Sequence, residues 1–168
     1  MDARALLLPS RRRLLILGGG LLATGLASCR STDILPTGDD LATPHTDEAL
    51  PMVNALRKKS SLPELTKGEP AEVAAVVQAR RMAAAGKMAH LLSPNDSFLD
   101  RMKAGNVPLP AAENVAAGQD SVSRAVQAWI DSARHRENML GSYTALGVAV
   151  AHNPSSGGRP YWAMVLSS

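Results

Sequence analysis

The stretch Leu146-Gly147-Val148-Ala149-Val150-Ala151, answered by Tyr161-Trp162-Ala163-Met164-Val165-Leu166, decides the fold class. In the first run branched residues alternate with glycine and alanine, the two-residue period of a strand. The second is a short continuous apolar run. Asn153-Pro154-Ser155-Ser156-Gly157-Gly158 lies between them with turn chemistry, so the pair reads as an antiparallel hairpin. Upstream the period changes. Val122, Ala125, Val126, Trp129, Ile130 and Ala133 fall at i, i+3, i+4, i+7, i+8 and i+11 behind a cap at Asp120 or Ser121, the pattern of a helix with one buried face. Val122, Val126, Trp129 and Ile130 are its expected core residues. Helices first and strands late indicate an α+β arrangement in layers around an antiparallel sheet.

Three more helices precede that one. Leu50, Val53 and Leu56 make a short stripe interrupted near its start by Pro51. Pro70 can open a second helix, where its missing N–H is harmless, and Gly86 can close it. This helix carries Val73, Val76, Val77, Ala83 and Ala84, and its alanine content implies a closely packed neighbour. A third, with Phe98, Leu99 and Met102, is expected behind a cap at Asn95 or Asp96 and stops at Gly105-Asn106.

The first 28 residues read differently. Arg4, Arg11, Arg12 and Arg13 precede the apolar run Leu14 to Ala27, the basic head and greasy core of an export signal. A bilayer-spanning helix needs about 20 apolar residues, more than this run holds. Leu26-Ala27-Ser28-Cys29 fits a lipobox, in which the thiol accepts a diacylglycerol and small neighbours admit the peptidase. Cys29 is the sole cysteine of the chain. The expected organisation is a signal over 1–28, a flexible tether over 29–45 and a folded domain over 46–168. Residues 30 to 44 are too polar to offset chain entropy by burial. Ser10-Arg11-Arg12-Arg13-Leu14-Leu15 suits twin-arginine export as well as the Sec route. Lipid on Cys29 would tether the protein to the cell envelope, and Arg30 directs it to the outer membrane in a cell with two membranes.

The formal charge of +3 belongs to the signal, whose removal leaves Lys plus Arg equal to Asp plus Glu. A nucleic-acid partner therefore lacks the cationic excess that backbone neutralisation needs. With Cys29 acylated, no thiol remains for a disulfide. A domain of about 120 residues can be held by its apolar core.

Spacing alone assigns no active site. Among four histidines no pair stands at i, i+4, and there is no H-E-x-x-H, cysteine pair, Walker loop or G-x-S-x-G. His45 by the tether and His152 by the turn are expected in solvent. His90, Glu113 and His135 each flank a regular element, where scaffolds present side chains. Taken singly, each is also explained by capping or core hydrogen bonds.

The order of several short segments supplies more. Val53-Asn54-Ala55-Leu56-Arg57, Leu62-Pro63-Glu64-Leu65, Met82 to His90, Phe98-Leu99-Asp100-Arg101 with Gly105, Glu113-Asn114-Val115-Ala116-Ala117-Gly118, Trp129 to Leu140, Leu146-Gly147-Val148 and Tyr161-Trp162 follow one another. Together, over residues 50 to 167, they resemble the bacterial SCP-like branch of the CAP superfamily. That resemblance implies a three-layer α-β-α sandwich with a central antiparallel sheet and a cleft on one face. It implies paired cleft histidines at His90 and His135 and an acid at Glu113, with Asn114 beside it, and in metal-binding members the two histidines are ligands. Zinc suits such imidazoles. The pattern also departs here. Ala112 replaces a glycine, Ala133-Arg134 replaces Pro-Gly, and the second acid has no match. Asp131 stands nearest to it, and Ser132 occupies the position.

The function expected from this resemblance is non-enzymatic binding of a lipid, glycan or peptide in the cleft, with a divalent metal such as zinc as an optional cofactor. Two other readings stay open: a metal- or histidine-dependent hydrolase, and an envelope protein-interaction module with a vestigial cleft.

Overall fold

The computed structural model describes residues 41–168. The signal and the lipobox, Cys29 included, lie outside the described residues.

The hairpin is present as strands β4 (Ala145–His152) and β5 (Tyr161–Ser167), paired antiparallel from Ala145↔Ser167 to Ala151↔Tyr161. The turn is a short 3-10 segment, Pro154–Ser156, closed by Gly157 in the left-handed conformation (φ 69°). Three further strands join the hairpin. β1 (Leu41–Pro44) pairs antiparallel with β4, and the two-residue β2 (Thr66–Lys67) pairs parallel with the other end of β4. β3 (Ala111–Ala117) pairs antiparallel with β5 and ends the order β1-β4-β5-β3.

β1 corrects the expected boundary of the domain: residues 41–44, assigned to the tether, belong to the sheet. Low apolar content argues against burial, yet an outer strand is held by its backbone ladder and needs little side-chain burial. His45 is likewise not in open solvent. Its N–H donates to the Val148 carbonyl at 2.8 Å, and its ring stands 5.5 Å from that of Trp162.

Helix α1 (Thr46–Lys59) begins before Pro51, which sits inside it. Thr46 anchors the start to β4: its buried hydroxyl donates to the Val148 carbonyl (3.3 Å) and accepts from the Val148 N–H (2.9 Å). α2 (Glu69–Ala85) starts with Pro70 in its first turn and ends at Gly86 with φ 60°. Its alanine face is the buried one, whereas Val73 and Val77 are exposed. α3 (Phe98–Ala104) is capped by Ser97, which accepts from the Asp100 N–H, and not by Asn95 or Asp96. α4 (Val122–Asp131) is capped by Ser121, and the chain then breaks at Ser132 into a separate helix, α5 (Ala133–Met139). Ser132 is extended (ψ 117°), so the single helix expected through Ala133 is two.

Two cores lie on opposite faces of the sheet. Leu146, Val148, Val150, Trp162, Met164 and Leu166 pack with Val53 of α1 and Val126 and Trp129 of α4, and Val122 and Ile130 cover this cluster from its margin. Alternate residues, including Ala149, Ala151, Ala163 and Val165, face the alanines of α2 and Met102 of α3. This is the three-layer α-β-α arrangement. The second face is built from small residues so that α2 can approach closely. A Cβ on Gly147 would fall on the backbone of Ala71 and Glu72.

The Asn54 and Arg57 positions prove structural. Asn54 exchanges two hydrogen bonds with the backbone of Leu65 (3.0 and 2.9 Å). The buried Arg57 donates to the carbonyls of Pro63, Met139, Gly141 and Tyr143 at 2.8–3.4 Å, tying α1 to two loops.

Candidate functional site

Glu113 and Asn114 are consecutive on β3, so their side chains leave opposite faces of the sheet. Glu113 reaches the side of α2 and α3. Its carboxylate accepts from Arg101 through both oxygens (Nη1 to Oε2, 2.9 Å; Nη2 to Oε1, 3.1 Å) and from His90 Nδ1 at 2.9 Å. Asn114 reaches the side of α4 and α5, where its amide donates to the His135 carbonyl (3.0 Å) and its oxygen accepts from Asn138 (2.8 Å). The Glu-Asn pair thus fastens the two histidine-bearing segments from the two faces of one strand.

Around Glu113 the charges form a chain. Asp96 is buried and meets Arg81 (2.7 Å) and Arg101 Nε (3.3 Å). Burial on its own would raise the Asp96 pKa, but Arg81, the Leu92 N–H and Arg101 together hold it below the ordinary value. Gln78, fully buried on the alanine face of α2, donates to the Ala89 carbonyl (2.8 Å) and, together with Arg101, to that of His90. Sequence alone assigns none of Arg81, Gln78, Asp96 and Arg101 to the site. There Asp96 reads as a helix cap, and Arg101 belongs to a motif segment that carries no role. The available signal is Gln78, a polar residue on a stripe of buried alanines.

His135 lies within α5 and lines a cleft of about 350 Å³ with Met88, Ala116, Trp129, Ser132 and Tyr161. Its pKa is lowered first by desolvation and then by electrostatic repulsion from His90 and Arg134. Its imidazole is therefore biased to the neutral form, a hydrogen-bonding group rather than a cation. His90 is not among the residues lining this cleft; its ring is half exposed and bonded to Glu113. Asp131 is outside the cleft: it is exposed and accepts from Gln127 at 2.8 Å. Ser132 at the break between α4 and α5 is the residue of that pair on the cleft wall.

The arrangement does not fit a complete zinc site. Both oxygens of Glu113 are held by Arg101, a fixed cation beside which a second cation is disfavoured. Among the described residues no three His, Cys, Asp or Glu side chains gather as potential ligands. Two imidazoles alone fall short of the tetrahedral set.

The sequence profile of the CAP family, the cysteine-rich secretory protein family, matches residues 50–166. The chain belongs to the CAP family. It is 30% identical over 112 residues to the uncharacterized membrane protein YlbC of Bacillus subtilis, a match covering 66% of this chain and 32% of YlbC. Two solved structures share the CAP fold seen here. An outer surface protein of Borrelia burgdorferi superposes with a TM-score of 0.60 at 19% identity, over 75% of this chain and 97% of that one. An extracellular SCP-domain protein of Bacillus anthracis gives 0.61 at 24%, over 73% and 40%. This CAP chain carries a single cysteine, outside the described residues.

Proposed function

We propose that the protein is an exported CAP domain, anchored to the cell envelope by lipid on Cys29, whose cleft binds a ligand without chemical turnover. The observation carrying this reading is the engagement of Glu113. Its side chain is 2% exposed and its carboxylate is held by three N–H groups of Arg101 and His90. A general base needs a free lone pair directed at the reacting proton. Glu113 instead fixes the loop after α2 to the end of the sheet. His135, Ser132, Trp129 and Tyr161 then offer a wall with an apolar body and a few polar atoms, the usual make-up of a binding cleft.

The test is an NMR titration of the full chain in detergent with envelope phospholipid, peptidoglycan glycan strands and peptides, following the His135 and Trp129 ring signals. At least one probe should shift them saturably, and His135→Ala should weaken that binding. Hydrolysis of ester or peptide substrates that His135→Ala abolishes would overturn the binding reading in favour of a hydrolase.

A further inference from the structure

The outer edge of β3 identifies a ligand class. In an antiparallel pair, alternate residues turn both N–H and C=O toward the partner, and the residues between turn theirs away. The Gly118 N–H donates to the Pro160 carbonyl (2.9 Å) and the Pro110 carbonyl accepts from the Ser168 N–H (3.2 Å). Even-numbered residues of this strand therefore face β5, and odd-numbered ones face outward. Two side chains agree with that phase. Asn138 Nδ2 donates to the Glu113 carbonyl (3.4 Å) and Arg159 Nη2 to the Ala117 carbonyl (3.2 Å). Between these two capped carbonyls the N–H and C=O of Val115 and the N–H of Ala117 are turned to the cleft, whose wall includes Val115, Ala116 and Ala117. β3 is the last strand of the sheet, and no described strand pairs with this edge.

Two side-chain atoms on the same cleft are independently unsatisfied. Trp129 Nε1, on a residue 1% exposed, has no acceptor, and the buried Oε1 of Gln119 has no donor. A buried polar group left unpaired is a standing penalty that a suitable ligand relieves. Val115 and Ala116 are only 5% and 6% exposed, so the edge is narrow. One orphan donor, one orphan acceptor and a strand edge without a described partner strand together match a polypeptide backbone, which carries one donor and one acceptor per residue. Charge adds a direction. Arg159 is exposed at the Gly118 end of the edge, and its guanidinium has five N–H groups suited to a carboxylate.

We infer that the cleft takes an extended peptide segment, added to β3 through the Val115 backbone, with a carboxylate seated on Arg159. This rests on the reading of the cleft as a binding site and names its ligand as a peptide joined by strand addition. The carboxylate has two sources, an acidic side chain or the C-terminus of the peptide.

The full chain in detergent is immobilised and exposed to two random nonapeptide libraries, one with a central aspartate and one with a central lysine. Selected peptides are resynthesised with N-methyl groups in either alternate phase, and with free or amidated C-termini. The expected results are enrichment from the aspartate library if a side chain supplies the carboxylate, or loss of binding on amidation if the C-terminus does, and in both cases an affinity loss of tenfold or more for one N-methyl phase only. Arg159→Met should remove the acid preference, and Val115→Pro, which deletes an outward N–H and no bond to β5, should abolish binding. Amidation tells the two carboxylate sources apart. Binding that tolerates N-methylation in both phases, or that Arg159→Met leaves unchanged, overturns the inference. Phosphatidylglycerol vesicles or peptidoglycan glycan strands shifting the Trp129 indole signal while no peptide does so would also overturn it, leaving the cleft as a binding site. No shift with any probe would remove both.

Discussion

At the scale of single side chains, Glu113 and Arg101 form a buried pair that ties α3 to β3 behind the cleft wall. The carboxylate is almost fully buried and the guanidinium nearly so, so removing one partner strands the other away from water. Arg101→Met should destabilise the fold by about 3–5 kcal/mol, the range for breaking a buried pair, as read from urea unfolding. Arg101→Lys should recover only part of this, since an ammonium cannot repeat the two-pronged contact. Equal small losses in both would mean that the pair is not a structural lock. His135 gives a pH signature. Its folded pKa is lowered, so the unfolded chain binds a proton more readily. The stability from its neutral form is complete above about pH 6.5, the unfolded value, and declines as pH falls from there through the folded pKa. Asp96 also has a lowered pKa, but there it is the charged form that folding favours, with stability present above the unfolded carboxylate value and lost below it. Melting curves between about pH 7 and pH 5 should show a decline that His135→Gln flattens; an unchanged decline would assign it to another group.

Secondary elements show why the second layer is made of alanine. α2 lies against β4 and β5 through Ala71, Ala75, Ala79 and Ala83, all fully buried, and Gly147 lets its first turn touch the strand. Gly147→Ala places a methyl group onto backbone that cannot swing aside. The expected outcome is a loss of about 3 kcal/mol or more, at the upper end of overpacking penalties, seen as a drop in Tm by circular dichroism. A drop below about 1 kcal/mol would show that α2 is free to shift outward. The break at Ser132 has a comparable consequence for the cleft. A continuous α4 would carry residue 135 around the same cylinder, whereas a new helix axis brings His135 onto the cleft wall and its carbonyl onto Asn114.

For the whole molecule, the described residues fold around two apolar clusters without a disulfide, and none of their helices is long and apolar enough to cross a membrane. The proposed function assigns membrane attachment to lipid on Cys29. Cys29→Ser should move the protein from the membrane fraction to the soluble fraction while the melting temperature of the domain stays the same. Persistent sedimentation of Cys29→Ser with membranes would remove the lipid anchor from the proposal.

Periodicity and turn chemistry by themselves established the hairpin, the boundaries of α2 and the one-sided α4, because each is a local choice written in consecutive residues. The ordered motifs likewise pointed to the family and to His90, Glu113 and His135. β1 and β3 were not legible, since their pairing depends on partners far along the chain and β3 mixes small and polar residues without a clean alternation. The motif register already favoured Ser132 over Asp131; tertiary structure showed Asp131 exposed and Ser132 on the cleft wall, at a change in helix axis. Only it joined Arg101, Asp96 and Gln78 to Glu113. A strand turns successive side chains to opposite faces, so what Glu113 and Asn114 each fasten is decided by the elements that the fold packs on either side of the sheet.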